Sequence, residues 1–132
     1  MFIRKRHKVL IVDDDEAILA LQGEILSDAK YKVFKARNGR ECIEQAKKFS
    51  PDIIVLDVMM PELDGIATSL KLKSIKETRF IPVIMCTAVK EEEDEVVARN
   101  LGVADYVRKT PRMEGLIVKI KKVLRNEFKG IS

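Results

Sequence analysis

The segment Pro51-Asp52-Ile53-Ile54-Val55-Leu56-Asp57-Val58-Met59-Met60-Pro61-Glu62-Leu63-Asp64-Gly65 decides the fold of this chain. Its apolar, β-branched run contains no turn residue, which is typical of a strand buried on both faces of a parallel sheet. The run ends on a carboxylate, Asp57, and Pro61 and Gly65 then bracket a loop. We therefore expect Asp57 at the carboxyl edge of the sheet, where open α/β folds bind their ligands. An ordinary strand-end or capping aspartate is the alternative for this residue taken alone.

Strand patterns alternate with helix patterns along the rest of the chain. The predicted strands cover residues 8–12, 31–36, 53–57, 81–87 and 105–108. The first predicted helix has Asp14 or Asp15 as its N-cap and an apolar stripe at Ile18, Leu21, Ile25 and Leu26, and the second covers 40–49 with Ile43, Ala46 and Phe49. The third runs from Gly65 to about Ile75 with Ile66, Leu70 and Ile75 inward, and the fourth runs from the acidic residues 91–95 to Gly102. The fifth starts at Pro111, with Leu116, Ile117, Ile120 and Leu124 inward and Lys119, Lys122 and Arg125 facing water.

This alternation predicts an α/β fold. Parallel strands need helical crossovers of right-handed sense, so we expect a doubly wound, five-stranded parallel sheet with helices on both sides, a three-layer α/β/α arrangement. A length of 132 residues fits one domain. We expect a basic arm at 1–7, the folded domain at 8–128 and a short tail at 129–132.

Composition and charge narrow the functional classes. The net charge is +4, and no run approaches the ~18 apolar residues of a membrane span, so no membrane contact is expected and the predicted location is the cytoplasm. Cys42 and Cys86 are expected as reduced, buried thiols. Direct nucleic-acid binding is not expected, because only residues 129–132 follow the last predicted helix and the basic arm is more simply a solvated terminus.

Hydrophilic side chains follow several strands at the same predicted edge. Asp13 and Asp14 follow the first strand, Asp57 ends the third, Thr87 ends the fourth and Lys109 follows the fifth. Carboxylates crowded together must either hold protons or hold a cation. Hard oxygen ligands suit Mg²⁺, which prefers one or two carboxylates together with phosphate oxygens. The pattern predicts a Mg²⁺ site next to Lys109.

A cation and an ammonium group together would hold a phosphoryl group against Asp57. Phosphoryl transfer depends mainly on positioning and on neutralising the equatorial oxygens, and a carboxylate can be the nucleophile. The hydroxyl of Thr87 and the backbone N–H of Ala88 are candidate donors to phosphoryl oxygens. For Thr87 the alternative is a strand-end hydroxyl bonded to backbone.

The chain resembles the receiver domain of two-component response regulators, of the chemotaxis-regulator-like kind, from about Lys8 to Phe128. The motifs that carry the resemblance are Val12-Asp13-Asp14-Asp15, Asp57-Val58-Met59-Met60-Pro61 with Gly65, Cys86-Thr87-Ala88, and Asp105-Tyr106 with Lys109. Each motif is weakly specific, whereas their order and spacing are specific. The resemblance implies a flavodoxin-like strand order of 2-1-3-4-5 and a phosphorylation-dependent signalling switch.

The resemblance also implies roles for single residues. Asp57 would accept the phosphoryl group from a histidine kinase or phosphotransfer protein. Asp14, Asp57 and the backbone carbonyl of Met59 would bind Mg²⁺ directly, and Asp13 would act through a metal-bound water. Lys109, Thr87 and Ala88 would contact the phosphoryl group.

Thr87 and Tyr106 would form the switch. When Thr87 moves toward the phosphoryl oxygens it vacates space that Tyr106 can fill, which repacks the surface of the fourth predicted helix, the fifth strand and the last helix for a downstream effector or output domain. The alternative for Tyr106 is a half-buried strand aromatic with no switching role.

The chain departs from the family pattern after Lys109. The family usually has a proline there, joined by a cis bond, whereas this chain has Thr110 before Pro111. A cis bond to Thr110 would cost about 2.5–4 kcal/mol, so the bond is predicted to be trans unless surrounding contacts hold it cis. A Lys109 side chain that points away from Asp57 would rule out its role.

Other readings remain open at this stage. A phosphatase of the haloacid-dehalogenase type also uses a strand-end aspartate and Mg²⁺, but it needs a second aspartate two positions later, where this chain has Met59. A binding module with a receiver fold that is never phosphorylated is the other alternative. We expect slow self-dephosphorylation rather than a dedicated enzyme.

Overall fold

The computed structural model describes residues 6–58, 64–87, 102–110 and 112–129. Its elements in chain order are β1 (Lys8–Val12), α1 (Glu16–Asp28), β2 (Lys32–Ala36), α2 (Gly39–Phe49), β3 (Ile53–Asp57), α3 (Gly65–Ser74), β4 (Val83–Thr87), β5 (Asp105–Arg108) and α4 (Leu116–Lys129). The helix predicted between residues 91 and 102, together with Met59, Ala88 and Pro111, lies outside the described residues, as do residues 1–5 of the predicted arm and 130–132 of the tail.

The strands form one parallel sheet in the order β2-β1-β3-β4-β5, which confirms the predicted topology. β3 lies in the middle, and all of its residues are buried. Its backbone pairs with β1 on one side, where Ile53 lies opposite Val9, and with β4 on the other side, where Asp57 lies opposite Cys86. A strand covered by neighbours and by both helix layers has no polar face, which explains its uninterrupted apolar sequence.

Two core clusters lie on opposite faces of the sheet. The first core cluster joins alternate strand residues such as Ile11, Val55 and Cys86 to α1 and α4. The second core cluster joins the residues between them, such as Val12 and Leu56, to α2 and α3. Successive side chains of a strand point to opposite faces, so each strand contributes to both clusters. This confirms the three-layer arrangement.

Side chains cap the starts of three helices. The carboxylate of Asp15 accepts hydrogen bonds from the N–H groups of Ala17 and Ile18 at the start of α1. Asn38 caps α2 and Asp64 caps α3 in the same manner. Each cap satisfies backbone donors that have no partner inside the helix. α2 thus begins at Gly39, one residue before the predicted start, and ends at Phe49 as predicted.

Some predicted helix faces are wrong. Leu70 was expected inward but is 53% exposed, because α3 instead buries Thr68, Ser69 and Leu72. The last helix begins at Leu116, later than the predicted start at Pro111. Two turns precede it, and one of them is closed by the bond from the Leu116 N–H to the Met113 carbonyl.

The charged face of α4 and the buried face of α1 also differ from the predicted ones. Lys119 was expected to face water but is half-buried and forms an ion pair with Asp105. In α1 the fully buried positions are Leu19, Gln22, Gly23 and Leu26, so only Leu26 of the predicted stripe is among them.

Both thiols are buried and free, as predicted. Burial raises the pKa of Cys42 to about 12. Burial likewise raises the pKa of Cys86 to about 12, against a smaller lowering effect of the Lys109 charge. Among the described residues, no helix is at once long and apolar enough to cross a membrane.

Candidate functional site

Three strand ends bring charged side chains together at the carboxyl edge of the sheet. Asp13 follows β1, Asp57 ends β3, and Lys109 follows β5. The Nζ atom of Lys109 lies 2.5 Å from Oδ2 of Asp13 and 3.3 Å from Oδ2 of Asp57. The lysine therefore points toward Asp57, as the sequence predicted.

Alternation along the strands explains why these side chains meet. Ile11, Val55 and Val107 all belong to the first core cluster. Asp13, Asp57 and Lys109 each come two residues later, on the same face of the sheet. The site is therefore the outer end of the layer between the sheet and the pair α1 and α4.

The ammonium of Lys109 contacts two buried carboxylates. The side chains of Asp13 and Asp57 are 1% and 4% exposed, and that of Lys109 is 16% exposed. Burial alone would lower the pKa of Lys109, but its hydrogen bond to Asp13 and the negative charge of Asp57 outweigh burial and raise this pKa above its ordinary value. Lys109 is therefore charged at neutral pH.

The acidic residues in the turn after β1 lie in different environments. The backbone N–H of Asp13 donates to the Ala36 carbonyl, and its Oδ1 accepts from the Asp15 N–H at 2.9 Å. Asp14 is exposed. Both oxygens of Asp13 thus have a positively polarised neighbour, whereas Asp14 is exposed and one of its carboxylate oxygens lies within 4.8 Å of those of Asp13 and Asp57.

The donor set fits a divalent metal ion. Asp13, Asp14 and Asp57 each offer a carboxylate oxygen, and these oxygens all lie within 4.8 Å of one another. Octahedral Mg²⁺ with bonds of about 2.1 Å places its ligands roughly 3 to 4 Å apart. The observed limit of 4.8 Å is slightly wider than that range. The three predicted carboxylates are therefore clustered as a metal site requires.

Gly65 packs directly against the backbone that carries Asp57. A Cβ atom at Gly65 would lie 2.1 Å from the Asp57 carbonyl oxygen and 2.8 Å from the Val58 Cα. The Gly65 N–H also donates to the Val58 carbonyl at 3.0 Å. The glycine is required here by space, since any side chain would push the end of β3 away from the start of α3.

The remaining predicted site residues are placed less completely. Thr87 ends β4 beside Arg108 of β5, so its backbone lies at the same edge, but its side chain is not described. The Met59 carbonyl and the Ala88 N–H lie outside the described residues. Their predicted roles stay predictions.

Tyr106 lies at the border between the second core cluster and the surface. It is half-buried and packs against that cluster. Its backbone N–H donates to Oδ1 of Asp105 at 2.7 Å, and the Lys119 Nζ lies 5.6 Å from its ring centroid. It also borders a pocket of about 350 Å³, whose lining residues are Tyr106, Val107, Arg108, Thr110, Glu114, Gly115 and Lys119.

Three features of the structure were not predicted from the sequence. Gln22 is buried beneath it, with Nε2 3.8 Å from the Cys86 sulfur, and its spacing from Leu19 and Leu26 could have placed it on the inner face of α1. An exposed ion pair joins Arg37, just after β2, to Glu16 in the first turn of α1. Thr110 bonds to Glu114, and no local pattern indicated this pair.

The Lys109–Thr110 peptide bond is trans, as predicted. The side chain of Lys109 still reaches Asp57 from this backbone. The missing proline therefore does not displace the lysine.

The fold and the site together define a flavodoxin-like α/β domain with a carboxylate and lysine centre at the carboxyl edge of its sheet. Residues 9–121 match the family model described as the response regulator receiver domain, and the chain belongs to this family. Its general function is that of a phosphorylation switch in two-component signalling, and its members are generally not dedicated enzymes.

Curated relatives agree with this assignment. The chain is 39% identical over 118 residues to the alkaline phosphatase synthesis transcriptional regulatory protein PhoP of Bacillus subtilis, which covers 89% of this chain and 48% of that protein. It is 37% identical over 119 residues to the transcriptional regulatory protein CpxR of Escherichia coli, which covers 90% of this chain and 50% of that protein. The chain thus spans about half the length of these relatives.

Solved structures share the fold closely. A putative response regulator from Chloroflexus aurantiacus superposes with a TM-score of 0.86 at 30% identity, covering 92% of this chain and 99% of the other. The chemotaxis protein CheY4 of Vibrio cholerae gives a TM-score of 0.84 at 29% identity, covering 90% and 99%. The flavodoxin-like order of strands is therefore shared with known receiver domains.

Proposed function

We propose that Asp57 is the phosphoacceptor of this receiver domain. The observation that carries the proposal is the placement of Asp57 in a cluster with Asp13 and Asp14, its side chain 3.3 Å from the ammonium of Lys109. A carboxylate in this position can act as the nucleophile in phosphoryl transfer, because the surrounding positive charge lowers the repulsion between it and the phosphoryl oxygens.

The transfer itself is a displacement at phosphorus. The P–N bond of a donor phosphohistidine breaks and its electrons return to the imidazole, while a carboxylate oxygen of Asp57 forms the new P–O bond. A histidine kinase or a phosphotransfer protein is the proposed donor. The product is an acyl phosphate, which water can hydrolyse, so slow self-dephosphorylation is expected rather than dedicated enzymatic turnover.

Asp13, Asp14 and Asp57 are the proposed holders of Mg²⁺, with the Met59 carbonyl as a further proposed ligand. Bound Mg²⁺ supplies positive charge that neutralises phosphoryl oxygens. Lys109 supplies a second positive charge from the β5 side. In the structure its ammonium already contacts both Asp13 and Asp57, so a short movement suffices to reach a group attached to Asp57. The hydroxyl of Thr87 and the N–H of Ala88 are the proposed donors on the β4 side.

The proposed output is a change at Tyr106. Its ring lies between the second core cluster and the pocket that Lys119 also lines. A shift of Thr87 toward the phosphoryl group would favour an inward position of Tyr106 and so change the pocket. A downstream effector or output domain that binds this surface would distinguish the two states. The cytoplasm is the proposed location because this is the compartment of a kinase-to-regulator relay.

A phosphorylation assay tests the proposal. The wild type and Asp57→Asn are each incubated with Mg²⁺ and acetyl phosphate, and the intact mass is followed with time. A labile adduct of one phosphoryl group on the wild type, absent from Asp57→Asn, is the expected result. No adduct on either protein would instead indicate a binding module that is not phosphorylated. Rapid continuous hydrolysis of acetyl phosphate would indicate an aspartate-nucleophile phosphatase.

A further inference from the structure

The turn that follows β5 is closed by a pair of reciprocal hydrogen bonds. The hydroxyl of Thr110 donates to Oε2 of Glu114 at 2.5 Å, and the Thr110 hydroxyl oxygen in turn accepts from the backbone N–H of Glu114 at 3.3 Å. The Thr110 carbonyl also accepts from the Met113 N–H at 3.0 Å. Thr110 is thus bonded through its backbone and through its side chain to the residues just before α4.

Met113 anchors the other side of this turn. Its side chain is 2% exposed and belongs to the first core cluster, together with Leu116. Its backbone has φ = 50°, a left-handed conformation that a methionine rarely adopts. Such a conformation persists only where surrounding contacts hold it, and here the buried side chain and the bond to Thr110 do so.

Lys109 needs this support because of its place in the sheet. β5 is an edge strand that ends at Arg108, so Lys109 already lies beyond the last residue paired with β4. A lysine side chain has several freely rotating bonds, and it holds its ammonium between Asp13 and Asp57 only if its own backbone is fixed. Among the described residues that follow β5, the next residue, Thr110, makes three hydrogen bonds.

We propose that Thr110 and Glu114 are positioning residues that hold Lys109 at the phosphorylation centre. The proposal rests on the phosphoacceptor role proposed for Asp57. Neither residue touches the reacting atoms, and both act through the backbone of Lys109. Thr110 and Glu114 also line the pocket beside Tyr106. The hydrogen-bonded pair proposed to hold Lys109 therefore lies between the phosphorylation centre and the proposed partner surface.

Two variants remove the pair from either side. Thr110→Val keeps the shape of the threonine but has no hydroxyl, and Glu114→Ala removes the acceptor. Each is expected to lower the maximal rate of Asp57 phosphorylation by acetyl phosphate about fivefold, the loss of one hydrogen bond of ordinary strength. Thr110→Ser, which keeps the hydroxyl, is expected to retain the wild-type rate. The double variant is expected to lose no more than either single variant, since both remove the same interaction.

Further readouts separate positioning from general stability. Thermal unfolding should change little in all variants, because the pair is exposed. Glu77→Ala, at an exposed glutamate in the loop after α3, is the matched control and is expected to behave as the wild type. In crystal structures of Thr110→Val without phosphodonor, the Lys109 Nζ is expected to keep its buried ion pair with Asp13 but to lie farther from Oδ2 of Asp57 than the 3.3 Å of the wild type.

Wild-type rates in both single variants, or a rate lost equally in Thr110→Ser, would overturn the positioning role. A crystal structure of Thr110→Val in which the Lys109 Nζ lies at the wild-type distance of 3.3 Å from Oδ2 of Asp57 would overturn it as well. If the wild type itself forms no adduct, the phosphoacceptor proposal fails. The position of Lys109 in the variant crystals would still decide whether Thr110 and Glu114 hold it.

Discussion

Replacement of Lys109 by glutamine tests the electrostatics of the site directly. In the wild type one ammonium contacts Asp13 at 2.5 Å and Asp57 at 3.3 Å, and both carboxylates are nearly inaccessible to water. Lys109→Gln keeps much of the side-chain volume but removes the charge. Two buried carboxylates are then left close together without their cation.

Breaking a buried ion pair from one side costs about 3–5 kcal/mol, because the remaining charge stays buried without compensation. Lys109 is itself partly accessible, with 16% of its side chain exposed, so we expect the lower end, about 3 kcal/mol. For a chain of 132 residues this corresponds to a fall of roughly 10 °C in the midpoint of thermal unfolding. Urea unfolding at pH 7 with a chelator present measures the free energy.

Added Mg²⁺ should then stabilise Lys109→Gln more than the wild type. In the wild type the ammonium occupies Oδ2 of Asp13, so a metal ion at the cluster must compete with it. A Mg²⁺ ion held by these carboxylates in the variant would replace the missing positive charge. A ligand at 100 times its dissociation constant adds about 2.7 kcal/mol, which is enough to restore most of the loss.

Lys119→Gln is the matched control for this experiment. Lys119 also pairs with an aspartate, Asp105, at 2.9 Å, but their side chains are 36% and 20% exposed. A solvent-screened pair contributes about 0.2–1 kcal/mol. Equal losses in Lys109→Gln and Lys119→Gln, or a Mg²⁺ response no larger than that of the wild type, would refute the argument from burial.

Three further predictions follow from single contacts. Gly65→Ala should destabilise the fold by about 1–3 kcal/mol and slow phosphorylation of Asp57, because the new Cβ overlaps the backbone of β3; an unchanged urea midpoint would contradict this. The thiols of Cys42 and Cys86 should not react with a thiol reagent at pH 8 until the protein unfolds. Folding raises the pKa of both thiols to about 12 from an ordinary value of 9.0, so the free energy of unfolding should fall as the pH rises from about 9 to 12. Urea titrations at several pH values measure this fall. Asp15→Ala should cost about 1 kcal/mol through loss of the α1 cap, and a change within error would show that the cap contributes nothing.

Much of the fold could be predicted because its signals are local. The β3 run is apolar throughout, and the observed strand is buried throughout, since a central parallel strand has no polar face. Asn38 and Pro51 bracket α2, and the helix ends at Phe49 as predicted. Leu70 shows the limit of such patterns. Helical spacing assigned Leu70 to the core. In the structure, Gly65 lies close to the backbone of Asp57 and Val58, and the buried face of α3 contains Thr68 and Ser69 instead.

The sequence predicted that several strand-end side chains share one edge of the sheet, but it did not predict their distances or their burial. Strand-end position and alternation place Asp13, Asp57 and Lys109 at one edge and on one face. The sequence does not show how deeply Asp13 and Asp14 are buried or which of the two carboxylates pairs with Lys109. In the structure Asp13 is 1% exposed and paired with Lys109, whereas Asp14 is exposed.

The amino-acid sequence by itself determined the order of strands and helices, the buried central strand and the strand-end carboxylates with their lysine. Periodicity and turn residues act over a few neighbouring positions, so these features follow from local patterns. Only the tertiary structure decided which carboxylate pairs with Lys109, that Gln22 lies beneath the site, and that Thr110 and Glu114 close the turn beside it. These contacts join residues from elements that are brought together only by packing. The burial and the charge interactions that determine them therefore do not exist in the unfolded chain.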